Sequence, residues 1–220
     1  MRRRRFLGAS AALAGAGLTP AALACRLFSA DAPDRYVAWQ GEQAIGRQEF
    51  VYTREPGHFV VEANLGMRFV SPGLGPVDYH HESSEIWQTG WLHALNSRTR
   101  IDAREQVVQA ERQGGALMVQ GSDVRAYRLS TYIVPSNLWH RDSRLVDAFI
   151  DVEDGTIRRV QPRFLGKESL RQGGALVQAS HYTIRGQLTR EAWYDADCAL
   201  VRWDLPLAGG GWISFRRESP

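Results

Sequence analysis

From His58 to Val70 apolar and polar side chains alternate along the chain. Phe59, Val61, Ala63, Leu65, Met67 and Phe69 take every second position, with Glu62, Asn64 and Arg68 between them. A period of two is that of a half-buried β-strand; a helix would scatter these six side chains around its axis. Segments of similar length, punctuated by glycine and turn dipeptides, predict strands at 35–41, 46–54, 78–88, 91–102, 105–113, 116–121 and 124–129. The second half predicts more at 157–165, 175–187, 190–195, 199–205 and 211–217. Thr89-Gly90, Gly114-Gly115, Asp154-Gly155 and Gly173-Gly174 read as hairpin turns. Ser71–Pro76 reads as a longer loop, because its prolines lack the N–H that a central strand must donate. Pro135–His140 breaks the rhythm, and Ser136 as a cap predicts a short helix near 136–147. The fold expected is mainly β: one curved antiparallel sheet, a half-barrel or open-barrel meander, in a single domain over 35–220.

The first 24 residues stand apart. Arg3-Arg4-Arg5-Phe6-Leu7 precedes an uncharged stretch, Ala9–Leu18, and Ala22-Leu23-Ala24 forms a small-x-small cleavage site. This is the pattern of a signal peptide, and the R-R-x-F-L core matches a twin-arginine signal, so export to the periplasm or cell envelope is expected. Residues 25–34 read as a linker. The segment also removes a misleading feature of the charge. Without its four arginines the chain carries 23 basic against 24 acidic side chains, a net of −1. Sequence-independent nucleic-acid binding needs clustered positive charge, so that function class is excluded. No segment beyond the signal approaches the ~20 apolar residues of a spanning helix. Membrane association is then expected only if Cys25, just after the cleavage site, is acylated; the lipobox is imperfect, because leucine stands two residues before the cysteine instead of three. Cys198 is the other cysteine. An oxidising compartment permits a Cys25–Cys198 disulfide, which a mobile N-terminus disfavours.

Candidate chemistry is concentrated in Asp78–Trp87. On a strand, His81, Ser83 and Glu85 share one face, and His80, Glu82 and Ser84 the other. The His-x-Glu spacing of His80 and Glu82 on one face could supply two metal ligands, with the third a distant His58, His93 or His181. The plainer reading is a polar strand paired with arginines of its neighbour. A two-residue Thr89-Gly90 turn would set His81 opposite Arg98 and Glu82 opposite Ser97, with Arg100 one step on. Such pairs stabilise by about 0.2–1 kcal/mol. Nucleophile elbows, P-loops and dinucleotide fingerprints are missing, and no cofactor is implied. The seven tryptophans are core residues or the lining of a greasy cleft; Trp87, Trp139, His140 and Trp193 are the candidate ligand contacts. Asp195–Cys198 reads as a hairpin turn, with a calcium loop the lesser alternative.

That hairpin carries a resemblance. Glu191–Val201, with Trp193-Tyr194-Asp195 and Leu200-Val201, resembles the W-Y-D-x-x-G-x-L-V hairpin of exported bacterial proteins classed as domains of unknown function. His81–Trp87 resembles their H-E-x-x-E-x-W strand, Leu95–Thr99 their L-x-S-R-T strand, and Val134–His140 their L-P-x-x-x-W-N loop. The likeness runs from about residue 35 to 217. Cys198 replaces a turn glycine and His140 an asparagine. The family brings no activity to carry over. Its implied shape is similar to the half-barrels of periplasmic lipoprotein carriers, a fold analogy that does not fix function. The expectation is a non-enzymatic envelope protein that holds a lipid or other apolar molecule on the concave face, with export machinery as the partner of its signal. The alternatives are a periplasmic enzyme built on His80, His81, Glu82 and Glu85, or a structural or adaptor protein.

Overall fold

The computed structural model describes residues 32–218. Its fifteen strands are β1 (Asp34–Gln40), β2 (Gln43–Glu55), β3 (His58–Ser71), β4 (Gly75–Gln88), β5 (Trp91–Ile101), β6 (Arg104–Gln113), β7 (Ala116–Gly121) and β8 (Tyr127–Leu129), then β9 (Val134–Pro135), β10 (Ala148–Ile150), β11 (Ile157–Gln172), β12 (Ala175–Gly186), β13 (Arg190–Tyr194), β14 (Leu200–Pro206) and β15 (Trp212–Arg217). They make one sheet in the order β8 to β1, then β15 down to β9. Each strand therefore lies beside its sequence neighbours, apart from β8 and β9, and β1 pairs in addition with β15. The two ends of the order, β8 and β9, follow one another in sequence yet do not pair. All ladders are antiparallel apart from β9 with β10. The result is an open barrel, unclosed between β8 and β9.

Alternation sets which face turns inward. On β3, Val61, Ala63, Leu65 and Met67 are buried, while Glu62, Asn64 and Arg68 are exposed. Inward residues from all around the sheet, such as Tyr36, Phe50, Leu95, Ile184 and Phe215, join one core. The loop expected at 71–76 is shorter than predicted. Pairing continues through Val70↔Pro76 and Ser71↔Gly75, and Pro76 is tolerated because β5 stops at Ile101, opposite Tyr79. The Thr89-Gly90 turn forms, but a bulge between Ile86 and Trp87 shifts the register by one, so Glu82 faces Arg98 and His81 faces Thr99. The helical segment near 136–147 is one 3-10 turn, Arg141–Arg144, capped by His140 rather than Ser136. β9 and β10, too short to show a period, were not predicted. Cys198 stands at φ +64°, the left-handed conformation that suits the glycine it replaces. It is disulfide-bonded. Tyr36 of β1 donates its hydroxyl to the Leu200 carbonyl at 2.7 Å, so the chain enters the fold beside this turn. Cys25, the lipidation candidate, and the signal segment lie outside the described residues.

The register of β3 makes a matched pair of substitutions informative. Leu65 is 5% exposed, and Leu65→Lys buries an unpaired charge at several kcal/mol, enough to prevent folding of a domain stable by about 5–15 kcal/mol. Asn64 lies between Glu49 and Glu82 on the outer face. Asn64→Lys should therefore leave stability unchanged or raise it by up to ~1 kcal/mol. Thermal melts check both, and a one-residue slip would exchange the outcomes.

Candidate functional site

A polar strip runs down the inner wall of the barrel. On β4 the inward side chains after Tyr79 are His81, Ser83, Glu85 and Trp87; on β5, opposite them, are Thr99, Ser97 and Leu95. His81 Nδ1 lies 2.8 Å from Thr99 Oγ1. These groups face a length of chain that, apart from the two residues of β9, is not strand. Residues 133–140, from Ile133 to His140, are all buried, and they cross the interior between β4 and β13. An irregular segment cannot satisfy its polar groups by a ladder, so it needs side-chain partners. β4 supplies them.

The centre of the arrangement is Glu85, which is fully buried. Its carboxylate accepts hydrogen bonds from Trp87 Nε1 at 2.8 Å, Asn137 Nδ2 at 2.6 Å and Trp139 Nε1 at 3.0 and 3.1 Å. Between the last two donors, Leu138 adopts φ +66° with no exposed surface. A left-handed leucine is strained by about 1–3 kcal/mol, and it is this turn that lets its two neighbours converge on one carboxylate. Tyr194 of β13 holds the far side, donating to the Leu138 carbonyl at 3.0 Å. Trp139 packs edge-on against Tyr52 and Trp87, at 5.9 and 5.6 Å between ring centroids, and tilted against Phe59 at 6.4 Å. His140 stacks on Trp87 at 4.5 Å, while its Nδ1 accepts from the Asp142 N–H. The segment after β10 is tied to the same wall: Ser97 Oγ donates to the Val152 carbonyl at 2.6 Å, and Tyr79 donates to Glu153 at 2.7 Å.

Electrostatics follow from burial. Glu85 is pushed up to about 7 by desolvation, against the pull of its three donors. His81 and His140 are lowered to about 4, again chiefly by desolvation. At neutral pH both histidines are uncharged and Glu85 is poised between its two states. Asn137 Oδ1 makes no hydrogen bond, so a rotated amide can accept from Glu85 when the acid is protonated.

The structure thus joins Trp87, Trp139, His140 and Glu85 and adds Asn137, Tyr52 and Phe59, which the sequence reading missed. Inward parity on β2 and β3 was the available signal, since Phe59 faces Trp87 in the register. His80, Glu82, Arg98 and Arg100 are exposed on the outer face, where Glu82 approaches Arg98 at 3.9 Å. The polar cluster read from the sequence is therefore split between two sides of the sheet. Trp193 is also on the outer face, stacked on His181 at 4.1 Å, with its Nε1 donating to Glu168. His181 sits between Glu168 and Glu191 and His58 beside Glu55, away from His81. Among the described residues no group of three His, Cys, Asp or Glu side chains is placed to hold a metal. Asp195 Oδ1 accepts from the backbone N–H groups of Asp197 and Ala199, a turn that uses its own carboxylate.

No curated protein matches the chain. Among solved structures it is similar to the crystal structure of a beta-barrel-like protein of domain of unknown function DUF1849 from Brucella abortus. Identity is 7%, the TM-score is 0.61, and the match covers 84% of this chain and 94% of that one. At that identity the likeness is one of fold. A family model described as a domain of unknown function, DUF6134, matches residues 36–218.

Two outcomes are expected of the site. Glu85→Ala leaves buried N–H donors of Trp87, Asn137 and Trp139 without an acceptor and should lower stability by roughly 3 kcal/mol or more in urea unfolding. The pH dependence has a definite sign. A histidine held near 4 in the folded protein and near 6.5 when unfolded loses stability as pH falls from 6.5 towards 4, whereas Glu85, raised on folding, loses stability as pH rises from 4.5 through 7. Two histidines oppose one acid. Between pH 4.5 and 6 these three groups make stability fall with acidification, and His81→Gln should reduce that slope by about one proton. Unfolding midpoints across this range test it; an unchanged slope would contradict the assignment.

Proposed function

The chain belongs to DUF6134, a family defined by a domain of unknown function, and we propose that it is an exported, non-enzymatic envelope protein that takes a lipid chain or other apolar molecule between the sheet and residues 133–140. The observation that supports this reading is the ring cluster of Tyr52, Phe59, Trp87, Trp139 and His140, built against the one segment that follows a free edge of the sheet. β9 is only two residues long and pairs with β10 alone. Residues 136–140 are held across the interior chiefly by side chains, through Glu85 and Tyr194, so they can lift without breaking a strand ladder. An apolar chain would replace Trp139 against Tyr52 and Phe59. The arginine-led N-terminal segment supports export by the twin-arginine route.

A second reading, a structural or adaptor protein, is favoured by the unbroken burial of residues 133–140, which already fill the interior. Native mass spectrometry of protein purified from the envelope fraction separates the two. The carrier reading expects lipid-sized adducts, energy transfer from tryptophan to added cis-parinaric acid, and at least fivefold weaker transfer-derived affinity in Trp139→Ala. Protein without adducts and without energy transfer supports the adaptor.

A further inference from the structure

Beyond the barrel body, β11 and β12 continue as a two-stranded arm. β10 pairs with β11 only at residues 157–159, and β13 with β12 only at 180–184. From Gln161 to Gln172 and from Ala175 to Ala179, each strand has the other as its only ladder partner. A bulge between Phe164 and Gly166 rotates the arm, and its two faces then differ. One face carries Leu170, Val177 and Ala179, which pack on Trp193 and Val201. The register places Lys167 opposite Ser180, Ser169 opposite Gln178 and Arg171 opposite Leu176 on the other face. Phe164 continues it, its ring 5.4 Å from that of Tyr182. Phe164, Leu165 and Leu176 are 52%, 54% and 69% exposed.

All but one of the charges on this arm are positive. Arg163, Lys167 and Arg171 are exposed, and among the described residues none of them forms an ion pair. The only acid between Gln161 and Gly186 is Glu168, which turns to the other face and is bonded to His181 and Trp193. Cations beside exposed large apolar side chains match the chemistry of an anionic lipid surface, where rings and leucines enter the headgroup boundary and each cation meets phosphate. The free edge of β11 is a poor site for strand addition, since Pro162, the bulge and Lys167 interrupt it. The face of the arm, not its edge, is the surface on offer.

We propose that the β11–β12 arm is a membrane-docking element that lays Phe164, Leu165 and Leu176 into the interface of an anionic bilayer while Lys167 and Arg171 bind its phosphates. This does not depend on what the interior holds. The test is co-sedimentation of the full exported protein with phosphatidylglycerol-containing vesicles and with phosphatidylcholine vesicles. Binding is expected to the first, weakened by salt, and at most weakly to the second. Lys167→Gln with Arg171→Gln should weaken binding by about tenfold, and Phe164→Ser with Leu165→Ser and Leu176→Ser by at least as much. All five side chains are partly or fully exposed, so thermal melts should match the parent and confirm folding. Val70→Ser with Leu74→Ser, exposed apolar residues elsewhere, should leave binding unchanged. Equal binding to both vesicle types, no binding to either, or binding that survives both arm variants, as it would through an acyl anchor, overturns the proposal.

Discussion

The structure depends on a sheet that does not close. β8 has three residues and β9 two, and neither can exchange a ladder with the other. A barrel left open in this way exposes its core unless something else covers it. Here the cover is the chain that leads through the β9 edge and on to His140, and a cover with so little regular structure brings backbone and side-chain polar groups into the interior. Those groups are costly to bury unless each finds a partner. Two inward positions, Glu85 of β4 and Ser97 of β5, are polar for that reason. His81, Ser83, Glu85, Ser97 and Thr99 look like the raw material of an active site, yet Glu85 and Ser97 spend their hydrogen bonds on holding residues 137–139 and 152.

Glu85 shows how closely the terms balance. A carboxylate with no exposed surface is disfavoured by several kcal/mol, and its rise to about 7 measures how far three N–H donors fall short of water. Removing the donors would push it further; removing the acid would orphan the donors. The strained turn at Leu138 belongs to the same bargain, since its conformation is stable only because the flanking bonds over-determine it.

Much of the sheet was legible in the sequence because strands with one buried face announce themselves by period two. β3 and β2 were recognisable for that reason, as were the glycine turns. Alternation at β4 placed His81, Ser83 and Glu85 on one face correctly, but it could not say that the face was inward, because polar residues there imitate an outer surface. The bulge at Ile86/Trp87 was invisible too: an extra residue leaves no compositional mark, and one step was enough to move Arg98 from His81 to Glu82. The segment 133–140 defeated pattern reading most fully. The Asn137 and Trp139 side chains and the Leu138 carbonyl answer to partners 50 or more residues away, Glu85 and Tyr194, and local periodicity carries no trace of such contacts. The resemblance to a domain of unknown function singled out this loop and strand by their motifs, and left their meeting unforeseen.

One pairing governs how the molecule can come into being. β1 is hydrogen-bonded to β15, and Asp34 is bridged to Arg217, 183 residues further on. Among the described strands, the first to leave the ribosome therefore waits, with one edge bare, for the last. Contacts this distant in sequence make folding slow and postpone closure of this pairing until β15 has been made. A chain that finishes its sheet so late has an interval in which β1 offers an open edge to any passing strand. For such a protein the order of events at the ribosome, chaperone capture and final collapse matters as much as the equilibrium it reaches.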